Sequence, residues 1–185
     1  MTEDQKLEEK RTGSVGDPVK KEVVPRVQVS GDAFAKIVET VSRRMTVGPV
    51  PETITEVVKS ALDGCLATGG SLVLGAKAIV VGVLRGAGEK EEAGLKTLLQ
   101  TARTLVRHAD SLGSDVAATA KGLVLGAIAS AKDLGVDLAK TASTAAQGAL
   151  EGATEAGSAA ADKVRKALME SIGGIKIVLP GAQSR

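Results

Sequence analysis

The fold is decided by residues 53–86, TITEVVKSALDGCLATGGSLVLGAKAIVVGVLRG, a stretch of apolar and small residues without proline. Thr53 and Glu56 have the spacing of a capping box, which marks a helix start. When the whole stretch is read as one helix, four glycines fall within an arc of roughly 40°. These glycines are Gly64, Gly75, Gly82 and Gly86. The alignment predicts one bare helical face against which another helix packs closely.

Four charged residues of the same stretch, Lys59, Asp63, Lys77 and Arg85, fall within an arc of roughly 80° away from the glycines. Each helical glycine costs about 1 kcal/mol relative to alanine, so a close helix contact is expected to offset that cost. The alternative is a buried strand over residues 78–84, whose composition of valine, isoleucine and leucine suits a sheet. We favour the helix because the two arcs are separated.

A second long helix is expected to begin near Glu89, after the glycines at 86 and 88. Its apolar residues recur at seven-residue spacing, as in a coiled coil or a bundle. The series is Leu95, Ala102, Ala109, Val116 and Leu123. From Leu123 onward the spacing changes to eleven residues, which is typical of an almost untwisted helix path.

Two further glycine pairs lie four residues apart in this part of the chain, Gly122 with Gly126 and Gly148 with Gly152. Interruptions are expected near three other glycines, Gly113, Gly135 and Gly157. The pattern leaves open whether residues 91–172 form one long rod or three shorter pieces.

A ten-residue segment is repeated in the chain: ATGGSLVLGA at 67–76 and ATAKGLVLGA at 118–127. A duplicated helical unit would make the two copies natural packing partners. Chance similarity between helices rich in alanine, glycine and leucine is the other interpretation.

The two ends differ from the central region. Residues 1–29 are polar, have too little apolar surface to fold alone, and are predicted to be a disordered arm. A helical domain is predicted over residues 30–174, its first helix capped by Ser30 or Asp32. Residues 175–185 begin with IKIVLP, which favours a short strand or a hydrophobic tail that docks on the helices.

The composition argues against catalysis. The 185 residues include 22 glycines, one phenylalanine, one cysteine and one histidine, and the net charge is +2. We therefore expect no catalytic residues, no cofactor, no metal site and no nucleic-acid partner. His108 is read as a partly exposed helix residue without a partner nearby in sequence, and Cys65 as a small buried hydrophobe.

Residues 126–167 resemble families of amphipathic helices rich in alanine, glycine and threonine, such as late-embryogenesis-abundant proteins, phasins and apolipoprotein-like coats. The glycine alignment also resembles glycine-zipper membrane segments. Both resemblances are compositional and transfer no functional residue. They imply helices that lie on apolar or membrane surfaces.

The sequence thus predicts an all-α protein of long amphipathic helices, packed as a hairpin or small bundle through glycine-lined faces. The predicted interface glycines are Gly64, Gly75, Gly82, Gly86, Gly122, Gly126, Gly148 and Gly152. The expected function is that of a non-enzymatic structural or interaction protein that self-associates, binds a protein partner or coats a lipid surface. The alternative is a membrane-inserted protein with a span at 64–84. The N-terminal residues lack an apolar run, so we expect a cytoplasmic location, peripheral to the membrane if the helices coat it.

Overall fold

The computed structural model describes residues 31–45, 51–87, 91–175 and 177, and over these ranges the chain is all-α, as predicted. Its regular structure there consists of seven helices: α1 (Gly31–Met45), α2 (Pro51–Ala67), α3 (Leu72–Ala87), α4 (Glu91–Ser111), α5 (Val116–Leu134), α6 (Leu138–Ala156) and α7 (Ser158–Met169). The predicted arm at 1–29 lies outside the described residues, as does most of the predicted tail.

The chain runs back and forth between two layers of helices. One layer contains α1, α3, α5 and α7 in that order, and the other contains α2, α4 and α6. Consecutive helices pack across the layers, while each helix also packs beside the next but one. This is the connectivity of an α-solenoid, in which helix pairs stack on one another. It is a larger assembly than the predicted hairpin or small bundle.

The interior that joins the two layers is aliphatic. A single cluster of buried side chains runs from Val41 in α1 to Ile172 beyond α7. Its largest fully buried members include Leu62, Ile79 and Leu105, and alanines occupy much of the remaining space. Because alanine and glycine are small, neighbouring helices can approach closely without large rings between them.

Glycines in the left-handed conformation end several helices. Gly69, Gly113 and Gly135 have φ of 67°, 65° and 67°. After α2 the amide of Gly70 donates to the carbonyl oxygen of Cys65 at 2.9 Å, and that of Gly69 to Leu66 at 2.9 Å, which is a Schellman motif. The predicted single helix over 53–86 is therefore wrong, because the chain turns between α2 and α3.

The region from 91 to 172 forms four helices rather than one rod or three pieces. The breaks fall at Gly113, Gly135 and Gly157, the three glycines that the sequence indicated. Aspartates restart two of the helices: Asp115 accepts from the amides of Ala117 and Ala118, and Asp137 accepts from Lys140. The seven-residue series is consequently divided between α4 and α5, and no continuous coiled coil forms.

One strand alternative is wrong, and the strand alternative at the C-terminus lies mostly outside the described residues. Residues 78–84, the alternative buried strand, lie inside α3. Near the C-terminus the chain makes a tight turn in which Ile172 and Ile175 form an isolated antiparallel bridge. Ile175 and Ile177 are half-buried against the core, which agrees with the docking alternative for those two residues.

The start of α2 also differs from the sequence prediction. The helix begins at Pro51, so Thr53 lies within its first turn and does not cap it. Proline suits the first position of a helix because its ring fixes φ and its missing N–H is not needed there.

Candidate functional site

At two glycines of α5, the contact between α3 and α5 brings the two backbones together. A Cβ placed on Gly126 would lie 2.8 Å from the carbonyl oxygen of Lys77 and 2.9 Å from the Cβ of Val80. A Cβ placed on Gly122 would collide with the carbonyl oxygen of Val73. Only hydrogen fits at these two positions, so the two helices touch along their main chains.

The contact between α1 and α3 has the same construction. A Cβ on Gly82 would lie 2.9 Å from the carbonyl oxygen of Val38, and one on Gly86 would lie 2.7 Å from that of Ser42. The Cβ of Met45 would be 2.5 Å from the added atom on Gly86. Both glycines are buried in α3.

The second layer repeats the contact between α4 and α6. A Cβ on Gly148 would lie 2.5 Å from the carbonyl oxygen of Leu99 and 2.9 Å from the Cβ of Ala102. A Cβ on Gly152 would collide with the carbonyl oxygen of Arg103. Thus α6 is seated directly on the backbone of α4.

The three contacts share one sequence pattern and one register. The glycine-bearing helix reads GVLRGA at 82–87, GLVLGA at 122–127 and GALEGA at 148–153. In each case the two glycines face two carbonyl oxygens that are themselves four residues apart: Val38 and Ser42, Val73 and Lys77, and Leu99 and Arg103. Such close approach favours dispersion contacts and weak Cα–H···O interactions. The four-residue spacing of Gly122 with Gly126 and of Gly148 with Gly152 was expected from the sequence, but the shared six-residue pattern was not.

Gly75 packs differently. A Cβ there would lie 2.5 Å from the Sγ of Cys65 in α2, which is a side-chain atom and not part of the backbone. Cys65 is buried, as predicted, and burial raises the pKa of its thiol. A thiol held protonated by burial is a poor nucleophile. This position therefore joins α2 to α3 by ordinary side-chain packing.

Gly64, unlike the other predicted interface glycines, makes no helix contact within the described part of the chain. Gly64 is exposed, and no atom of the described residues lies within 4 Å of a Cβ placed on it. The arc of roughly 40° was calculated for one continuous helix. Because the chain turns between α2 and α3, Gly64 does not share a face with the glycines of α3. The other seven predicted glycines lie against a neighbouring helix of the same chain.

Gly64 instead lines a groove between α1 and α2, which we call the α1–α2 groove. The groove has a volume of about 340 Å³. Its lining residues are Ala33, Lys36, Ile37, Thr40, Val41 and Arg44 from α1, and Val57, Ser60, Ala61, Gly64 and Thr68 from α2. The groove combines apolar walls, small residues and two cationic side chains.

A histidine–carboxylate pair joins α4 to α2. His108 Nε2 lies 2.7 Å from Asp63 Oδ1, although the residues are 45 positions apart in the chain. Ser111 Oγ is 3.5 Å from His108 Nδ1 but donates to the carbonyl oxygen of His108 at 2.7 Å. The serine proton is thus directed at the backbone, and the arrangement is not that of a nucleophile and its base. The sequence could not identify Asp63 as the partner because it lies on another helix.

Other surface ion pairs also connect neighbouring helices. Glu155 of α6 pairs with Arg103 and Arg107 of α4. Lys121 of α5 lies 2.6 Å from Glu170, just beyond α7, and its hydrogen bond lowers the pKa of that carboxyl. These exposed pairs contribute little energy each, so the backbone contacts carry more of the stack's specificity.

The described part of the chain contains no group of three or more histidine, cysteine, aspartate or glutamate side chains that could hold a metal ion. Nor does that part contain a helix long and apolar enough to cross a membrane. The alternative span at 64–84 is interrupted by the turn between α2 and α3.

Comparison with known proteins finds no matching family model, no related characterised sequence and no similar solved structure.

Proposed function

We propose that the protein is a non-enzymatic helical scaffold that folds on its own and presents its outer surface to a protein partner. The observation that carries this proposal is the threefold use of one glycine contact inside the chain. These glycine faces are occupied by contacts within one chain and are therefore not free for self-association between chains. A preformed stack of helix pairs is an architecture that offers extended surfaces for binding.

The distribution of exposed apolar side chains supports a protein partner over a lipid surface. Among the described residues the exposed large hydrophobics are Leu112, Leu134 and Met169. Leu134 and Met169 end α5 and α7, and Leu112 follows α4. Isolated residues at helix ends do not form the continuous apolar stripe that an interfacial helix inserts into a bilayer. Coating a lipid surface would require the helices to separate first.

Circular dichroism and vesicle flotation test the proposal together. We expect full helical content and cooperative thermal unfolding in buffer without lipid. We also expect no spectral change and no co-flotation with vesicles of phosphatidylcholine and phosphatidylglycerol. A chain that is largely coil in buffer and becomes helical on the vesicles would contradict a preformed scaffold and favour the coat.

A further inference from the structure

The α1–α2 groove lies at one end of the two-layer stack. α1 is the first helix of its layer and packs beside α3, while α2 is the first of the other layer and packs beside α4. Every internal helix of a layer has a neighbour on both sides, but α1 and α2 have described layer neighbours on one side only. Terminal repeats of stacked helical proteins present a surface that the internal repeats bury.

The length of the groove suits an α-helix. Its lining residues recur every three or four positions on both walls, from Ala33 to Arg44 and from Val57 to Thr68. At 1.5 Å per residue, each wall is about 17 Å long, or three helical turns. At Gly64 the main chain has no side chain above it, as at the glycines where α3, α5 and α6 meet their neighbours. A helix laid in the groove can therefore approach the backbone of α2 closely.

The charge of the groove restricts the occupant. Lys36 and Arg44 line it, both are exposed, and no aspartate or glutamate is among the lining residues. The two cations are eight residues apart on α1, which places them about 12 Å apart along one wall. A complementary helix carries carboxylates beside its apolar stripe, while a basic helix would meet like charge.

We propose that the α1–α2 groove binds an amphipathic α-helix of a partner protein, with an apolar stripe flanked by aspartate or glutamate. This inference rests on the proposed scaffold function and names the partner's chemistry. The apolar stripe lies over Ile37, Ala61 and Gly64, and the carboxylates pair with Lys36 and Arg44. Helix-in-groove recognition of this kind is a common mode of peptide binding.

The test uses the full chain and two synthetic helical peptides of 16 residues that differ only in their flanking residues, all glutamate or all lysine. Fluorescence anisotropy should show that the glutamate peptide binds and that the lysine peptide binds at least tenfold more weakly. Gly64→Leu should weaken binding of the glutamate peptide at least tenfold, because the leucine occupies the groove. Leucine favours helix more than glycine does, so this variant should remain folded by thermal unfolding.

Charge reversal completes the test. Lys36→Glu with Arg44→Glu should reverse the preference between the peptides. The matched control, Lys163→Glu with Lys166→Glu on α7, changes the net charge equally and should leave the preference unchanged.

Equal binding of both peptides, binding of neither, or binding unaffected by Gly64→Leu would overturn the proposal. So would dissociation of a wild-type oligomer by Gly64→Leu, which would identify a second copy as the occupant. If these binding results fail while the chain is folded, the groove proposal is wrong but the scaffold function still stands. If the chain is unfolded in buffer, both proposals are wrong.

Discussion

Gly122 of α5 and Gly64 of α2 are both helical glycines, yet their surroundings are opposite. At Gly122 a Cβ would collide with the main chain of α3, whereas at Gly64 it would meet no described atom within 4 Å. Gly122 belongs to a six-residue pattern, GLVLGA, that recurs with the same register in α3 and α6. Gly64 stands in the sequence SALDGCLA, where Ser60 occupies the place of the first glycine of the pattern and Cys65 that of the alanine.

The difference shows that helical glycines in this protein do not all serve the same structural purpose. In the recurrent pattern its missing side chain is the condition for two backbones to touch, and the contact compensates for its low helix propensity. At Gly64 no such contact within the described residues offsets that cost.

The largest effect is expected at the contact between α4 and α6. Gly152→Leu must displace the carbonyl oxygen of Arg103, which belongs to a helix backbone and cannot rotate away. We expect the free energy of unfolding to fall by about 3 kcal/mol, the upper end of the usual cost of overpacking, because the obstacle is backbone and cannot move aside. Urea unfolding followed by circular dichroism measures the change. Gly64→Leu is the matched control, and an equal loss in both variants would refute the distinction between the two sites.

Gly75 provides an intermediate case, because its neighbour is a side chain. Gly75→Ala should lower the free energy of unfolding by about 1 kcal/mol, as the new methyl group presses on the Sγ of Cys65. In a Cys65→Ala background the same substitution should be nearly neutral, since the sulfur is gone. The double-mutant cycle should give a coupling of about 1 kcal/mol. An identical cost in both backgrounds would show that the cysteine is not the obstacle.

The packed interior also contains a buried hydroxyl group without a hydrogen bond. Thr101 of α4 is fully buried, and its hydroxyl has no hydrogen-bond partner among the described residues. Thr101→Val keeps the shape and removes the unpaired group, so we expect a gain in unfolding free energy of about 1 kcal/mol. Thr119→Val is the control: that hydroxyl donates to the carbonyl oxygen of Asp115 at 3.0 Å, and its loss should not stabilise the protein. Similar gains in unfolding free energy from both substitutions would show that the unpaired hydroxyl of Thr101 is not what destabilises the protein.

The smallest effect is expected at the surface, one residue before Gly122. The hydrogen bond from Lys121 lowers the pKa of Glu170 in the folded protein. The pair therefore stabilises the fold above the unfolded-state pKa of Glu170, and this contribution disappears as the pH falls through the lower folded-state pKa. Thermal unfolding between pH 7 and pH 3 should show slightly less acid destabilisation in Lys121→Met than in wild type. Lys163→Met on α7 is the control, and equal curves for all three proteins would contradict the pair's role.

Some of this architecture could be predicted from the sequence. Within α3, Gly82 and Gly86 both face α1, in agreement with their predicted alignment, whereas Gly75 faces Cys65 of α2. The breaks at Gly113 and Gly135 were predicted too, and aspartates two residues later support them. These features are local: they depend on residues within about one turn of each other.

The errors arose where a turn separates two helices. Gly69 and Gly70 form the Schellman turn that disconnects α2 from α3, but the long apolar periodicity on both sides concealed it. The repeat at 67–76 and 118–127 gave a mixed result. The second copy lies wholly within α5, whereas the first begins at the end of α2, continues through the turn and ends in α3. α3 and α5 do pack together, but the two copies are not structurally equivalent. Partners across layers, such as Asp63 for His108, depend on the stacking and leave no local signal.

The most direct measurement is the change in unfolding free energy for Gly122→Ala and Gly64→Ala, determined side by side in urea. We expect the two changes to have opposite signs. Gly64→Ala should gain about 1 kcal/mol from helix propensity, whereas Gly122→Ala should lose about 2 kcal/mol because its methyl group forces α5 away from α3. A gain at both positions would contradict the claim that direct backbone contact at the recurrent glycines holds the stack together.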